Sequence, residues 1–180
     1  EDTACVRASL IEARIAASER RYEDAIRALE RIEEQDADFM PEAFPHIVNC
    51  YRSLGRIDTL KRYLEGLRRR RRGVTPVLLL ADLTAEEGDA EGALAYLREE
   101  MERRPTVRGL GRFVSYGRAT AGAEAQDYLA LLQGFADQLQ EDRISHRCNS
   151  CGFSGRALHW QCPGCKGWNT VKPIHGIEGE

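Results

Sequence analysis

A helical pattern recurs along the first part of the chain at intervals of 35 and then 33 residues. It appears in three segments, "RRYEDAIRALERIEEQDADF" (20–39), "GRIDTLKRYLEGLRRRRRGV" (55–74) and "GDAEGALAYLREEMERRPTV" (88–107). The matching apolar positions are Ala25, Leu60 and Ala93, each followed four residues later by a leucine (Leu29, Leu64 and Leu97). Residues four apart share one face of a helix. A period of this length predicts stacked helical hairpins, in which each unit buries its apolar face against its neighbours.

A second helical pattern precedes each segment, at 6–18, 43–54 and 76–87, and short turns ("ERR", "LGR" and "EGD") join the two. Two of these first helices carry a small residue, Ala13 or Ala81, at the predicted contact. Helices approach closely only where no bulky side chain separates them. The resulting unit of about 34 residues resembles the tetratricopeptide repeat.

The period divides the chain into regions. Residues 1–106 are predicted to form about three such repeats, and 107–144 a degenerate helical pair that caps the array. Residues 145–176 form a cysteine-containing module and 177–180 a tail. The last helix of the pair is predicted to be amphipathic, with an apolar face formed by Tyr128, Leu131, Leu132, Phe135 and Leu139. The predicted fold is therefore an all-α tetratricopeptide-type solenoid with a small C-terminal rubredoxin-like or zinc-ribbon module.

The module is defined by four cysteines in the stretch "CNSCGFSGRALHWQCPGC". They are Cys148, Cys151, Cys162 and Cys165, spaced C-x2-C-x10-C-x2-C. Two turns of this kind bring four thiolates to the corners of a tetrahedron, which suits Zn²⁺ or a single iron. Gly152 permits a positive φ in the first turn. About 30 residues cannot bury enough apolar surface to fold unaided, so the predicted role of the metal is structural.

Two other interpretations of the cysteines are disfavoured. A thioredoxin-type dithiol needs one reactive pair in an α/β fold, and a disulfide scaffold is small and evenly cross-linked. Cys5 and Cys50 stand alone in helical sequence and are predicted to be packing residues. His146 and His159 are not needed as ligands, since four thiolates complete the coordination. The ten-residue spacer is predicted to form a short β-hairpin carrying Phe153, Leu158 and Trp160.

Composition and motifs narrow the class of function. A formal net charge of -3 argues against a general nucleic-acid binder, and no nucleic-acid partner is expected. The sequence shows none of the nucleophile, phosphate-loop or metalloprotease motifs, so a non-enzymatic role is predicted. The longest apolar run, "VLLLA" (77–81), is far too short to span a bilayer. Because the chain begins without Met, we expect it to be the C-terminal part of a longer protein.

The sequence around the four cysteines resembles that of one particular protein family. "CNSCGF" and "LHWQCPGCKGWNTVKPI" resemble the rubredoxin-type metal module of the lipopolysaccharide assembly protein B family, which joins tetratricopeptide repeats to such a module. True rubredoxins have a longer spacer and a glycine directly after the last cysteine, whereas Lys166 stands there in this chain. This difference favours a structural ion, zinc in the purified protein, over electron transfer.

The resemblance implies a non-catalytic adaptor on the cytoplasmic face of the bacterial inner membrane, held there by an N-terminal anchor. Its implied partners are a membrane-bound AAA+ zinc protease and the lipid A pathway deacetylase that the protease degrades. Other inner-membrane regulators of lipopolysaccharide synthesis are possible further partners. An electron-transfer module on a helical scaffold, or a generic zinc-stabilised interaction protein, remains the alternative.

Three expectations concern surfaces. Successive first helices of a repeat array form a concave face that suits a partner segment, and six residues are predicted to lie there: Arg7, Arg14, Asn49, Arg52, Asp82 and Glu86. Trp160 and Trp168 are expected either to clamp the module onto the array or to fill the core of the module. The run Arg68–Arg72 is interpreted as the solvated end of a helix in preference to a headgroup-binding patch.

Overall fold

The computed structural model describes residues 5–70, 73–141 and 143–174, so Arg71, Arg72 and the tail 177–180 lie outside the described residues. The helices are α1 (Val6–Ser18), α2 (Tyr22–Asp36), α3 (Met40–Ser53), α4 (Ile57–Arg70), α5 (Thr75–Glu86), α6 (Ala90–Arg103), α7 (Val107–Thr120) and α8 (Ala123–Glu141), with a 3-10 turn at Ala37–Phe39. The strands are β1 (His146–Cys148), β2 (Ser154–Gly155) and β3 (Val171–Pro173). The prediction of helical repeats followed by a small C-terminal module is confirmed.

The chain divides into two compact units, Glu1–Tyr63 and Leu64–Glu180, with the boundary inside α4. In the first unit, α1 packs against α2 and α2 against α3. In the second unit, α5 packs against α6, α6 against α7 and α7 against α8. The predicted subdivision at residues 107 and 145 stays a prediction.

The three helical hairpins have the same type of turn between their two helices. After α1, α3 and α5 the chain enters the left-handed region at Arg20 (φ 61°), Gly55 (φ 66°) and Gly88 (φ 92°). In each case the next residue donates its backbone N–H to the carbonyl five positions earlier, at 2.9, 3.0 and 3.3 Å. This is the Schellman geometry, which satisfies carbonyls left open at a helix end. The three turns are separated by 35 and 33 residues, the same intervals as the sequence repeat.

The positions that defined the repeat form the core. All six are fully buried: Ala25, Leu29, Leu60, Leu64, Ala93 and Leu97. The small first-helix residues Ala13 and Ala81 are buried as well. Burying each leucine contributes about 1.5–3 kcal/mol relative to leaving it exposed. The apolar period therefore identified the core-facing side of these helices correctly.

Two glycines in α7 permit close helix packing in the second unit. A Cβ added at Gly109 would lie 2.2 Å from Sδ of Met101, and one added at Gly111 would lie 2.7 Å from Nε2 of Gln140. The helix runs unbroken across both glycines despite its low intrinsic propensity. Thr106 fixes its start, since its Oγ1 accepts a 3.0 Å hydrogen bond from the backbone N–H of Gly109.

Helix α8 keeps much of its apolar row outside the core. Ala136 is buried, but half or more of the side chain is exposed at Leu131, Leu132, Phe135 and Leu139. The side chain of Tyr128 lies outside the described part of the structure. Helix α8 therefore leaves a row of apolar side chains exposed. None of the described helices has both the length and the apolar character needed to cross a membrane.

Candidate metal centre

A three-stranded antiparallel sheet in the order β2-β1-β3 supports the cysteines. Strand β1 lies in the middle, with His146 opposite Gly155 on one side and Pro173 on the other. The predicted hairpin within the spacer is wrong, because Ser154–Gly155 pairs upstream with β1. The first cysteine pair itself supplies the chain reversal between these strands.

The first cysteine turn is closed by two backbone hydrogen bonds. The N–H of Gly152 donates to the carbonyl of Cys148 at 3.0 Å, and the N–H of Cys148 donates to the carbonyl of Phe153 at 2.7 Å. Gly152 has φ 78°, which confirms the positive φ predicted for it.

The second cysteine turn repeats this arrangement. The N–H of Lys166 donates to the carbonyl of Cys162 at 3.0 Å, and the N–H of Cys162 donates to the carbonyl of Gly167 at 2.9 Å. Lys166 has φ 60°. The residue that departs from the rubredoxin pattern therefore adopts the left-handed conformation that Gly152 adopts in the first turn. Its Nζ also donates to the carbonyl of Pro163 at 3.0 Å.

The four sulfurs converge on one point. Sγ of Cys148 lies 3.7 Å from Sγ of Cys165, and Sγ of Cys151 lies 3.6 Å from Sγ of Cys162. All four ligand atoms lie within 4.8 Å of one another. A tetrahedron with metal–sulfur bonds of about 2.3 Å has edges of about 3.8 Å, so the donor set fits a tetrahedral ion. The same distances are far too long for disulfides, and all four cysteines are free.

The two cysteines of each pair differ in their surroundings. Cys148 and Cys162 are buried and form a small core with Val171, against which Phe153 packs, while Cys151 and Cys165 are exposed. One cysteine of each pair thus anchors the metal centre in the fold, and the other faces outward.

The pKa values of Cys148 and Cys151 are shifted in opposite directions by their surroundings. The hydroxyl of Thr170, together with the backbone amides of Cys151 and Ser150, lowers the pKa of Cys148 to about 6. For Cys151, the backbone amide of Phe153 acts to lower the pKa, but desolvation and the neighbouring cysteine side chains raise it to about 11. Cys148 therefore gives up its proton more readily than Cys151.

The two histidines of the module stand outside the donor set. Nδ1 of the buried His146 lies 2.9 Å from Oγ of Ser145. The ring of His159 packs edge-on against Phe153, with centroids 5.7 Å apart. Elsewhere, Cys50 is buried and desolvation raises the pKa of its thiol, as suits a packing residue. Within the described residues, the four cysteines of the module are the cluster that can hold a metal.

One of the two tryptophans does not lie where it was expected. Trp168 is 59% exposed and lies opposite Gln161 in the isolated bridge beside the second cysteine turn. Trp160 is half-buried. The expectation that Trp168 is buried, as a clamp or as module core, is wrong, because Phe153 and Val171 fill that core instead.

The predicted partner-binding residues lie on first helices, as expected. In the first unit, Arg7 and Arg14 on α1 and Asn49 and Arg52 on α3 are all exposed. Their exposure is compatible with partner contact, and their role stays a prediction.

In the second unit, α5 carries the other two predicted residues, Asp82 and Glu86. Glu86 is exposed. Asp82 is half-buried and accepts a 2.6 Å hydrogen bond from the hydroxyl of Tyr116, and Nη2 of Arg112 lies 3.3 Å from its Oδ2. The fold therefore already uses the carboxylate of Asp82.

Sequence reasoning missed an ionic cluster at the end of α4. Arg68 forms 2.6 Å ion pairs with Glu65 and Glu100, and its guanidinium lies 6.0 Å from the ring centre of Tyr96. Only 23% of the Arg68 side chain and 13% of the Glu100 side chain are exposed, against 73% for Arg69. Arg68 is thus a packed residue and not a solvated helix end. The Glu65–Arg68 spacing of three residues was the available signal.

Comparison with known proteins agrees with this geometry. Residues 146–173 match the family described as the rubredoxin metal binding domain. The chain is 28% identical over 180 residues to lipopolysaccharide assembly protein B of Escherichia coli K12, an alignment that covers 99% of this chain and 46% of the relative. It is 29% identical over 175 residues to the Haemophilus influenzae protein of the same name, covering 97% of this chain and 44% of that protein. The resemblance predicted from the sequence is confirmed. The chain spans less than half the length of these lipopolysaccharide assembly protein B relatives.

Proposed function

We propose that this chain is the helical and metal-binding part of a non-catalytic adaptor in lipopolysaccharide assembly. The observation that carries the proposal is the similarity to lipopolysaccharide assembly protein B along 99% of the chain. The relatives are named as assembly proteins, which supports a scaffolding role.

The adaptor promotes degradation of the lipid A pathway deacetylase by a membrane-bound AAA+ zinc protease. It works at the cytoplasmic face of the inner membrane, where an N-terminal anchor holds the full-length protein. Exposed polar residues on the first helices α1 and α3 support this proposal, since such a face suits an extended or helical partner segment.

The ion in the cysteine module is zinc, and its role is structural. Three short strands and two cysteine turns enclose only a small core, so ion binding supplies much of the folding free energy of the module. Four thiolates leave no open coordination position for a substrate or a water nucleophile.

The function is tested by the lifetime of the deacetylase in the native bacterium. We expect deletion of the full-length gene to lengthen that lifetime in a chase experiment, and the wild-type gene to restore rapid turnover. Cys162→Ser, which removes a buried ligand, should fail to restore it. Cys5→Ser, outside the module, should restore it fully. Unchanged turnover after deletion would contradict the proposal.

A second experiment examines the partner face directly. Arg14→Glu on α1 is compared with Arg27→Glu on α2, another exposed arginine of the first unit. Crosslinking from membranes followed by mass spectrometry should lose the protease or the deacetylase with Arg14→Glu only. If both variants recover the protease and the deacetylase equally, α1 is not part of the partner-binding face. If the wild-type protein recovers neither partner, the adaptor role is contradicted.

A further inference from the structure

The hydroxyl of Thr170 lies between a metal-ligand sulfur and a backbone carbonyl. Its Oγ1 is 3.3 Å from Sγ of Cys148 and 3.2 Å from the carbonyl oxygen of Gly167. Thr170 is not a member of the donor set, and no motif in the sequence marks it.

The sheet fixes Thr170 in this position. Its carbonyl accepts a 2.8 Å hydrogen bond from the backbone N–H of Asn149, and the next residue, Val171, pairs with Cys148 across β1 and β3. A β-branched side chain has few χ1 rotamers, so the backbone also determines where the hydroxyl lies. The contact with Cys148 is therefore built into the strand pairing.

The single proton of the Thr170 hydroxyl can serve either of two contacts. Whenever Cys148 is protonated, its S–H donates to Oγ1 of Thr170 and the hydroxyl donates to the carbonyl of Gly167. A ligating thiolate has no proton and accepts only. Rotation of the Thr170 hydroxyl about its C–O bond then directs its proton to the sulfur without movement of a heavy atom.

The rotation leaves no backbone group without a partner. The carbonyl of Gly167 also accepts a 2.9 Å hydrogen bond from the N–H of Cys162, and it keeps that bond when the Thr170 hydroxyl turns away. The loss at Gly167 is thus small, while the gain is a hydrogen bond to a charged acceptor.

We propose that Thr170 is a positioning residue of the metal centre, whose hydroxyl donates to the Cys148 thiolate and strengthens ion binding at neutral pH. Donors to metal ligands orient them, and their removal costs about 10–100-fold in metal affinity. A hydrogen bond to a ligand sulfur also stabilises the more negative state of a redox-active ion and so raises its reduction potential.

The test compares variants that separate the hydroxyl from the shape of the side chain. Thr170→Val and Thr170→Ala both remove the donor, and Thr170→Ser keeps it. Ser154→Ala is the matched control, because that hydroxyl bonds to the carbonyl of Gly152 at 3.1 Å, not to a ligand sulfur. Zinc affinity is measured by competition with a chromophoric chelator at neutral pH. We expect zinc affinity about tenfold weaker in Thr170→Val and Thr170→Ala. The zinc affinities of Thr170→Ser and Ser154→Ala should lie within about twofold of the wild-type value.

A second measurement distinguishes positioning from general destabilisation. The same variants are loaded with iron, and visible absorption verifies coordination by four thiolates. The midpoint potential of the bound iron should fall in Thr170→Val and Thr170→Ala. It should stay at the wild-type value in Thr170→Ser and Ser154→Ala. Wild-type zinc affinity in Thr170→Ala, equal losses in Ala and Ser, or an unchanged potential in every variant that loads iron would each overturn the proposal.

Discussion

The hydroxyl of Tyr116 donates a 2.6 Å hydrogen bond to Oδ1 of Asp82 and thereby joins α7 to α5 within the second unit. Burial, with the hydrogen bond to Asp82 adding to it, raises the pKa of Tyr116, so the phenol keeps its proton and remains the donor. Arg112 faces the other carboxylate oxygen of Asp82. Asp82, a predicted residue of the partner-binding face, therefore accepts a hydrogen bond that holds two helices of the fold together.

This arrangement predicts different results for the two acidic residues of α5. Asp82→Ala leaves the hydroxyl of Tyr116 without its charged acceptor and should lower the unfolding free energy by about 1.5–3 kcal/mol. Glu86→Ala, at an exposed position of the same helix, should change it by less than about 0.5 kcal/mol. Urea unfolding followed by circular dichroism measures both. Equal stability of the two variants would contradict the structural role of Asp82.

Sequence reasoning succeeded where local rules determine the structure. The apolar spacing of Ala25 and Leu29 identified buried positions, and the cysteine spacing identified four sulfurs that cluster within 4.8 Å of one another, because both depend on short-range geometry. It failed where distant side chains meet. Tyr116 is 34 residues from Asp82 and Glu100 is 32 residues from Arg68, and no local pattern indicates such pairs. The exposure of Trp168 likewise depends on which apolar residues fill the module core.

The shared turn after the first helices predicts a stabilising substitution. Arg20 occupies the left-handed position that glycine occupies in the other two turns, at Gly55 and Gly88. A non-glycine residue in this region costs about 1–2 kcal/mol, of which glycine recovers part, since it also increases the entropy of the unfolded chain. Arg20→Gly should therefore raise the unfolding free energy by about 0.5–1 kcal/mol.

The reverse change serves as the control for this substitution. Gly55→Ala at the equivalent position of the same unit should lower the unfolding free energy by about 1 kcal/mol, although an added Cβ there would meet no atom within 4 Å. Thermal unfolding measures both variants. A destabilised Arg20→Gly protein would show that the Arg20 side chain contributes more than its backbone conformation costs.

The cluster around Arg68 predicts that neighbouring arginines are not equivalent. Arg68→Ala removes the 2.6 Å partner of Glu100, a carboxylate with little solvent exposure, and leaves it the more distant Arg103 at 3.7 Å. This change should destabilise the protein by about 1.5–3 kcal/mol. Arg69→Ala removes an exposed side chain and should cost less than about 0.5 kcal/mol, as is usual for surface ion pairs. Denaturant titration of the two variants checks this. Similar small losses in both would mean that Arg68 belongs to the solvated helix end after all.

The metal centre predicts a local response to loss of one ligand. Cys162→Ser should reduce the bound zinc from one ion per chain to almost none and unfold the module, because Cys162 is also part of its small core. Far-ultraviolet circular dichroism should keep most of its helical signal. Cys5→Ser should retain the ion. Elemental analysis measures the metal; iron as the resident ion, with a reversible redox wave, would instead favour the electron-transfer alternative.

Ion binding should also depend on pH in a direction set by the separated acidities of Cys148 and Cys151. At about pH 7.5 Cys148 is already ionised, since its pKa is about 6, whereas Cys151, with a pKa of about 11, must release its proton to the solvent before it ligates. As the pH falls through about 6, Cys148 takes up a proton as well, so one further proton competes with the ion and the affinity falls more steeply. Calorimetric titration of zinc in buffers of different ionisation enthalpy measures the protons released at each pH. Zinc affinity that stays constant across this range would contradict the assignment of these acidities.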